Sequence, residues 1–208
     1  MTIKFVNGIA FPAEDKVISA RIGPNGEYQF EALEAGLAYV RKWRVAIDAG
    51  AHVGLWTRVL AAKFRQVIAF EPSPDTYEAL LLNLAGTIDC RNQALGALPG
   101  KVHMVLDPKY EGHTGARYIA EGGDIERVTM DSLGLPRLDF LKLDLEGGET
   151  DALLGGLSTL ARCHPVIVIE DKRFGKRFGY DREVPAKILA GLGAKEVGKA
   201  GINKIWSW

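Results

Sequence analysis

Apolar residues recur along this chain in two spacings. Nearly continuous apolar runs at 45–48, 67–71, 139–145 and 166–170 predict buried strands, with a shorter strand at 88–92. Apolar positions three or four residues apart at 30–40 and 53–64, and helical patterns at 73–86, 149–163 and 185–192, predict helices. Because strands alternate with helices, we expect a parallel sheet with helices on both faces.

Three regions depart from this alternation. Strands predicted at 101–106 and 126–130 flank a stretch rich in Gly and polar residues, and we expect that excursion to build a substrate surface. The pattern at 196–199 and 204–208, around a turn at Gly201, predicts a terminal hairpin and hence one antiparallel strand. Residues 1–43 form a small lead-in or cap, so we expect a single domain with its core at 44–208.

Composition excludes several classes. Lys and Arg together number 26, as do Asp and Glu, so the net charge is zero and no bulk attraction to nucleic acid or an anionic membrane is expected. Cys90 and Cys163 have no His or Cys at ligand spacing, which predicts two small buried residues and neither a zinc site nor a disulfide. With no visible signal peptide and no apolar run of ~20 residues, we expect a cytoplasmic protein without a membrane span.

Polar residues follow the predicted strands at their carboxyl ends, where open parallel sheets bind their ligands. They are Asp48, Glu71, Asn92 with Gln93, Asp144 with Glu146, and Glu170.

The loop after the first core strand favours a positively charged ligand. Gly50 and Gly54 allow a tight turn, but His52 stands where the dinucleotide-binding pattern G-x-G-x-x-G has its middle glycine. A carboxylate at Asp48 would also repel a diphosphate. S-adenosylmethionine, which carries a sulfonium and an ammonium group, suits an acidic residue there. The alternative is that Asp48 caps a helix and that Glu71 is solvated.

The second and third strand ends complete this interpretation. Glu71 is placed to accept both ribose hydroxyls, and Pro72 helps to fix the turn. The Gln93 amide, beside Asn92 and Ala94, is placed to meet an adenine edge, although a plain turn explains the same residues.

A second acidic group is predicted around the fourth strand. Lys142, Asp144 and Glu146 alternate along the strand and so share one side, while Glu149 begins the next helix and Glu170 ends a neighbouring strand. Carboxylates this close raise one another's pKa, so one of them could accept a proton near neutrality. Two alternatives are a hard cation such as Mg²⁺ and a structural network in which Glu149 is a cap and Lys142 a partner.

Two loops carry further candidates. Four cations interleave with aromatic residues at 171–180, which is typical either of a solvated loop or of one that binds an acceptor. His113, in a polar loop, is either a general base or simply exposed.

Taken together, five motifs resemble the FkbM-type methyltransferases. They are D-A-G-A-H-V-G at 48–54, F-E-P-S-P at 70–74, T-M-D-S-L at 129–133, D-F-L-K-L-D-L-E-G-G-E at 139–149 and P-V-I-V-I-E at 165–170. The resemblance covers about residues 40–208 and implies the class I, three-layer Rossmann-like α/β fold, with a seven-stranded, mostly parallel sheet and one antiparallel strand. It also implies O-methylation of a hydroxyl on a sugar or natural product. The family usually has Asn where this chain has His52.

We therefore expect an S-adenosylmethionine-dependent O-methyltransferase with a small-molecule acceptor. The alternatives are an NAD-dependent oxidoreductase and a non-catalytic nucleotide-binding module. No metal, nucleic acid or membrane partner is expected, and the protein is expected to be a monomer or homodimer. Catalytic roles are predicted for Asp144, the first choice of base, then Glu146, with Glu170 and Lys142. The predicted cofactor residues are Asp48, Gly50, Ala51, His52, Val53, Gly54, Glu71, Pro72, Asn92, Gln93, Ala94 and Asp144.

Overall fold

A computed structural model describes residues 2–84, 88–172 and 174–208. In chain order the strands are Ile3–Val6 (β1), Ile9–Pro12 (β2), Val45–Ala49 (β3), Gln66–Phe70 (β4), Asp89–Arg91 (β5), Gln93–Leu95 (β6), Gly100–Val105 (β7), Tyr118–Glu121 (β8), Ile125–Val128 (β9), Phe140–Leu143 (β10), Val166–Glu170 (β11), Lys195–Ala200 (β12) and Asn203–Ser207 (β13). The α-helices are Phe30–Leu37 (α1), Leu55–Lys63 (α2), Pro74–Asn83 (α3), Glu149–Leu154 (α4), Leu157–Cys163 (α5) and Val184–Gly191 (α6).

The central sheet is mixed and has seven strands in the order β12-β13-β11-β10-β3-β4-β5. Parallel pairing joins the strands from β11 to β5. β13 pairs antiparallel with both β11 and β12, which confirms the predicted terminal hairpin. The fold is thus α/β with a mixed central sheet, but it is not the clean seven-stranded, mostly parallel sheet that the resemblance implied, because two further sheets form beside it.

Helices cover both faces of the central sheet. Since successive side chains of a strand point to opposite faces, Ile47, Leu141 and Ile167 pack with α4, α5 and α6 on one side. Ala46 and Phe140 pack with α1 and α2 on the other side. The lead-in therefore contributes a covering helix, α1, to the core of the protein. Within the described ranges, no helix combines the length and the apolar character that a bilayer crossing requires.

The polar excursion forms a second sheet of four strands, in the order β6-β9-β7-β8. Sequence patterns predicted two of these strands, β7 and β9. They missed β6 and β8, which are only three and four residues long. β6 begins two residues after β5 ends, so one short segment passes from the edge of the central sheet into the second sheet.

Two predicted helices differ from the observed ones. The helix predicted at 149–163 is broken into α4 and α5 at Gly155 and Gly156. A Cβ at Gly155 would lie 2.0 Å from the carbonyl oxygen of Gly96, so this break lets two backbones touch. The helix predicted to end at Gly86 leaves the α-helical conformation after Asn83, and Gly86 itself lies outside the described residues.

The first turn of α3 is not capped by the side chain that precedes it. Ser73 occupies the position before α3, but its hydroxyl makes no capping hydrogen bond and instead contacts Asp75 and Arg117. The Asp75 carboxylate accepts the Thr76 N–H at 3.0 Å in its place. Pro74 is the first residue of the helix.

A small antiparallel sheet of β1 and β2 attaches to the core through Asn83. The Asn83 amide donates to the carbonyl oxygens of Ala10 and Val53 and accepts the Ala10 N–H. This one side chain therefore joins the start of the chain to the loop that follows β3.

Candidate functional site

A cavity opens at the carboxyl ends of β3, β4, β10 and β11, where the sequence predicts ligand binding. Side chains from the lead-in and from residues 113–119 close it over. Predicted site residues that line it are Gly50, Ala51, His52, Glu71, Pro72, Gln93, Ala94, Lys142, Asp144, Glu146 and Glu170. Four predicted residues do not line it: Asp48, Val53, Gly54 and Asn92.

Asp48 is fully buried and does not line this cavity, and the groups around its carboxylate belong to the protein. The Thr57 hydroxyl donates to Asp48 Oδ2 at 2.7 Å, and Lys142 Nζ lies 3.1 Å from Asp48 Oδ1. Lys142 also donates to the carbonyl oxygen of Gly50 at 2.6 Å. Asp48 thus pairs with the Lys142 ammonium, which in turn binds the backbone of the glycine loop at Gly50.

Val53, Gly54 and Asn92 contact neighbouring parts of the protein rather than the cavity. Val53 is buried against β2, and a Cβ at Gly54, whose φ is +87°, would lie 2.7 Å from Leu80 Cδ1. The Asn92 amide donates to the carbonyl oxygens of Glu71, at 2.8 Å, and of Pro72, at 2.9 Å. These three residues shape the turns around the cavity without lining it.

Gly50 lies where the loop after β3 contacts the segment that follows β10. Its φ is +78°, and a Cβ there would lie only 1.9 Å from the carbonyl oxygen of Asp144. Only glycine fits both this conformation and this approach. The sequence predicted a tight turn at Gly50, and the structure shows that its backbone also approaches Asp144, the residue that follows β10.

His52 connects the glycine loop to the lead-in. Its backbone N–H donates to Glu71 at 2.8 Å, and its Nε2 lies 2.7 Å from the Thr114 hydroxyl oxygen. Because that hydroxyl donates to Asp15, it accepts a hydrogen from His52. Burial lowers the pKa of His52 to about 4, so the ring is a neutral donor near pH 7.

Sequence patterns did not indicate Asp15 or Thr114. Asp15 is fully buried in the lead-in, and its carboxylate also accepts the Ser19 N–H at 2.7 Å. The one available signal was that Thr114 lies in the polar excursion already expected to carry substrate contacts.

Glu71 is buried at the end of β4 and already accepts three protein hydrogen bonds. They come from the backbone N–H groups of His52 and Ser73 and from the Thr76 hydroxyl. Burial raises the pKa of Glu71 above its ordinary value. Since a carboxylate offers about four acceptor positions, about one remains for a ligand.

Three carboxylates, Asp144, Glu146 and Glu170, converge as predicted; we call them the carboxylate cluster. One oxygen of each lies within 4.8 Å of those of the other two. The Lys172 ammonium lies among them, with Nζ 2.6 Å from Glu146 Oε1, 2.6 Å from Glu170 Oε2 and 3.6 Å from Asp144 Oδ1. Sequence patterns assigned Lys172 no role beyond its place among the loop cations.

The members of the carboxylate cluster differ in their affinity for protons. Burial and the charge of Asp144 raise the pKa of Glu170 to about 10, so Glu170 keeps its proton near neutrality. Although burial opposes the shift, the hydrogen bond from Glu170 and the nearby lysines hold the pKa of Asp144 well below its usual range. Burial raises the pKa of Glu146, against the effect of Lys172.

The Glu149 side chain binds backbone groups of the turn that precedes its helix. Glu149 begins α4, and its side chain accepts the backbone N–H groups of Leu145, at 2.8 Å, and of Gly147, at 3.3 Å. Burial raises the pKa of Glu149 to about 7.

The two candidate loops lie at the same cavity. Arg177 stacks between the rings of Tyr118 and Phe174, with its guanidinium carbon 4.4 Å and 4.3 Å from their centroids. Arg173, another cation of that loop, lies outside the described residues. His113 lines the cavity, and burial lowers its pKa.

Gln93 and the cysteines are less distinctive. Gln93 lines the cavity, but its amide donates to Glu126 at 2.8 Å. Cys90 and Cys163 are free and half-buried, rather than fully buried as predicted.

Comparison with known proteins finds similarity to methyltransferases. The family model described as "Methyltransferase FkbM domain" matches residues 48–195. Hexuronic acid methyltransferase AglP of Haloferax volcanii is 28% identical over 130 residues, covering 58% of this chain and 53% of that protein. Methyltransferase 1 of Beauveria bassiana is 27% identical over 143 residues, covering 52% of this chain and 57% of that protein. The chain thus spans about half the length of these relatives.

Two solved structures share the fold. The methyltransferase FkbM from Methylobacillus flagellatus superposes with a TM-score of 0.54 at 17% identity, covering 83% of this chain and 47% of that one. Precorrin 8w decarboxylase from Methanobacterium thermoautotrophicum has a TM-score of 0.51 at 16% identity, covering 95% and 98%. Since the family model spans well over half of the chain, this protein belongs to the FkbM methyltransferase domain family.

Proposed function

We propose that this protein is an S-adenosylmethionine-dependent O-methyltransferase of the class I fold, acting on a hydroxyl of a sugar or natural-product-like small molecule. The observation that carries the proposal is the single cavity onto which the glycine loop, Glu71 and the carboxylate cluster all open. In this proposal residues 44–208 form the catalytic core, and the lead-in closes one side of the site.

The charge around the cavity supports a cationic cofactor. The described side chains that line it include four acids, Glu71, Asp144, Glu146 and Glu170, and four Lys or Arg residues, Arg21, Arg117, Lys142 and Lys172. Three of these cations, Arg117, Lys142 and Lys172, already contact carboxylates. Asp144 has the most exposed side chain of the carboxylate cluster, so a further positive group is favoured beside it by Coulomb attraction. A diphosphate has no comparable support, because the ring of His52 stands where a phosphate-binding loop needs a glycine.

Each candidate cofactor residue has a separate role in this proposal. Gly50, Ala51 and His52 would hold the amino-acid end of the cofactor, with Asp144 beside it, and Glu71 would accept a ribose hydroxyl. Pro72, Gln93 and Ala94 would border the adenine. The cofactor supplies a methyl group bonded to a positively charged sulfur. The protein aligns the acceptor oxygen with that group and excludes water, as the lead-in and residues 113–119 are placed to do.

The electrostatics favour Glu146 over Asp144 as the base. The low pKa of Asp144 makes it a weak proton acceptor, which suits a group that stays charged beside a cation. Burial raises the pKa of Glu146 towards the range in which a base is effective near neutrality. The preference for Asp144 derived from the sequence is therefore reversed in this proposal. Glu170 and Lys142 would support the site without exchanging the acceptor proton.

The test is ligand binding followed by turnover. S-adenosylhomocysteine at 100 times its Kd should stabilise the fold by about 2.7 kcal/mol and raise the melting temperature by about 5–10 °C. Glu71→Gln should weaken this binding at least about tenfold by calorimetry, since a ribose hydroxyl then meets a neutral amide. Glu78→Gln, on the exposed face of α3, is the matched control. Stabilisation by NAD and not by S-adenosylhomocysteine would support the oxidoreductase alternative and reject the proposal.

The acceptor proposal rests on the relative named a hexuronic acid methyltransferase. Release of S-adenosylhomocysteine in the presence of glucuronic or galacturonic acid, with neutral sugars beside them, is the first assay. Glu146→Gln should lower turnover about 10²–10⁴-fold while binding of S-adenosylhomocysteine stays within about threefold. Full turnover by that variant would remove Glu146 as the base.

A further inference from the structure

The carboxylate cluster has the composition of a site for a hard divalent cation. Three carboxylates from two neighbouring strand ends offer oxygens within 4.8 Å of one another. Mg²⁺ and Mn²⁺ prefer oxygen ligands of this kind. Because Glu146 and Glu170 are buried, a negative charge on either of them is costly unless a positive group lies beside it.

The positive group in this structure is the side chain of Lys172. Its Nζ lies 2.6 Å from one oxygen of Glu146 and 2.6 Å from one oxygen of Glu170, with Asp144 at 3.6 Å. An ammonium group has three hydrogens to donate, and three carboxylates surround it. A metal ion held by the same three oxygens would have to occupy nearly the same space.

The backbone explains how Lys172 reaches this place. Glu170 is the last residue of β11, so Lys172 follows it by two residues and leaves the sheet beside the end of β10. Glu146 approaches from β10 with a φ of +53°, a conformation uncommon for a residue with a Cβ. That backbone position directs its carboxylate to the lysine.

We propose that Lys172 occupies the position of a divalent cation in the carboxylate cluster, so that this protein holds the cluster together without binding a metal ion there. The inference goes beyond the proposed function and depends on geometry alone. If the methyl transfer proposed above also holds, the reaction needs no divalent ion at this cluster, a consequence that does rest on the proposed function.

The proposal predicts a gain of metal binding when the lysine is removed. Lys172→Met keeps the apolar stem and removes the charge, so the three carboxylates should then bind Mn²⁺. We expect an affinity at least about tenfold higher than that of the wild type, measured by electron paramagnetic resonance of free Mn²⁺. Lys176→Met, an exposed lysine of the same loop, is the matched control and should behave as the wild type does.

Stability gives a second readout if the variant is poorly folded. Mn²⁺ should raise the melting temperature of Lys172→Met and leave that of the wild type unchanged, because only the variant's native state gains a ligand. Equally tight Mn²⁺ binding by the wild type would overturn the proposal, as would a folded Lys172→Met protein that gains neither affinity nor stability. Neither measurement involves S-adenosylmethionine, so failure here is distinct from failure of the proposed function.

Discussion

Asp48 and Lys142 form a buried ion pair beneath the glycine loop. Removing the charge of Asp48 tests how much this pair contributes to the free energy of unfolding. Asp48→Asn keeps the shape and the contact with Thr57 while removing one charge. Lys142 is then left buried, with the Gly50 carbonyl at 2.6 Å and Asp144 at 3.9 Å as its remaining partners. The variant therefore isolates the contribution of the Asp48 charge.

Removing one partner of a buried ion pair costs about 3–5 kcal/mol of unfolding free energy. The remaining partners of Lys142 place Asp48→Asn at the low end, about 3 kcal/mol. For a chain of this size that corresponds to a fall in melting temperature of about 6–12 °C. The Asp89→Asn variant removes one charge from a pair with Arg91 whose side chains are 38% and 32% exposed, and it should cost about 1 kcal/mol or less.

Urea denaturation of both variants measures these costs, and calorimetry with S-adenosylhomocysteine measures binding by the folded protein. Because Asp48 does not line the cavity, its loss should change affinity by no more than about threefold. The double variant Asp48→Asn with Lys142→Met should lose less unfolding free energy than the two single variants lose together. The difference should be about 2 kcal/mol, because no unpaired charge of this pair remains. A stable Asp48→Asn protein with strongly reduced affinity would show that Asp48 contacts the ligand after all.

Three further variants test other parts of the structure. The pKa of Glu149 rises on folding from 4.5 to about 7, so the native state holds a proton there that the unfolded chain has released, and stability falls as pH rises through this window. Glu149→Gln has no group to titrate there, so its free energy of unfolding should rise by about 3 kcal/mol relative to that of the wild type between about pH 4 and pH 8, measured by urea titrations. A difference between the two proteins that stays constant over this pH range would contradict the prediction. Gly155→Ala should cost about 2 kcal/mol or more, because its Cβ would lie 2.0 Å from a carbonyl oxygen, whereas Gly191→Ala, in open space within α6, should be neutral or stabilising. Thr114→Val should cost about 1–3 kcal/mol, because it leaves two side-chain hydrogen-bond partners unpaired, and a smaller loss would show that the network is dispensable.

Local patterns in the sequence carried much of the fold. The strands β3, β4, β10 and β11 are recognisable because a buried parallel strand needs a continuous apolar run. The placing of polar residues at one edge follows from the parallel direction of those strands. The same reasoning missed the second sheet, since strands as short as β6 and β8 have too few residues to show a period.

The break between α4 and α5 could not be predicted from apolar spacing. Apolar spacing continues through Gly155, and nothing local signals that the backbone of Gly96 packs against it. A glycine within a helical pattern is compatible with a continuous helix, so its reason lies in a contact with a segment about sixty residues earlier in the chain.

By itself, the sequence determined the strands, the edge at which the polar residues gather and the convergence of Asp144, Glu146 and Glu170. Tertiary structure alone decided which charges face the cavity and which face one another. Asp48 pairs with Lys142 across two neighbouring strands, and Lys172 enters the carboxylate cluster from a loop. The physical reason is that periodicity records only how buried a position is, while the partner of a buried charge depends on which element packs beside it.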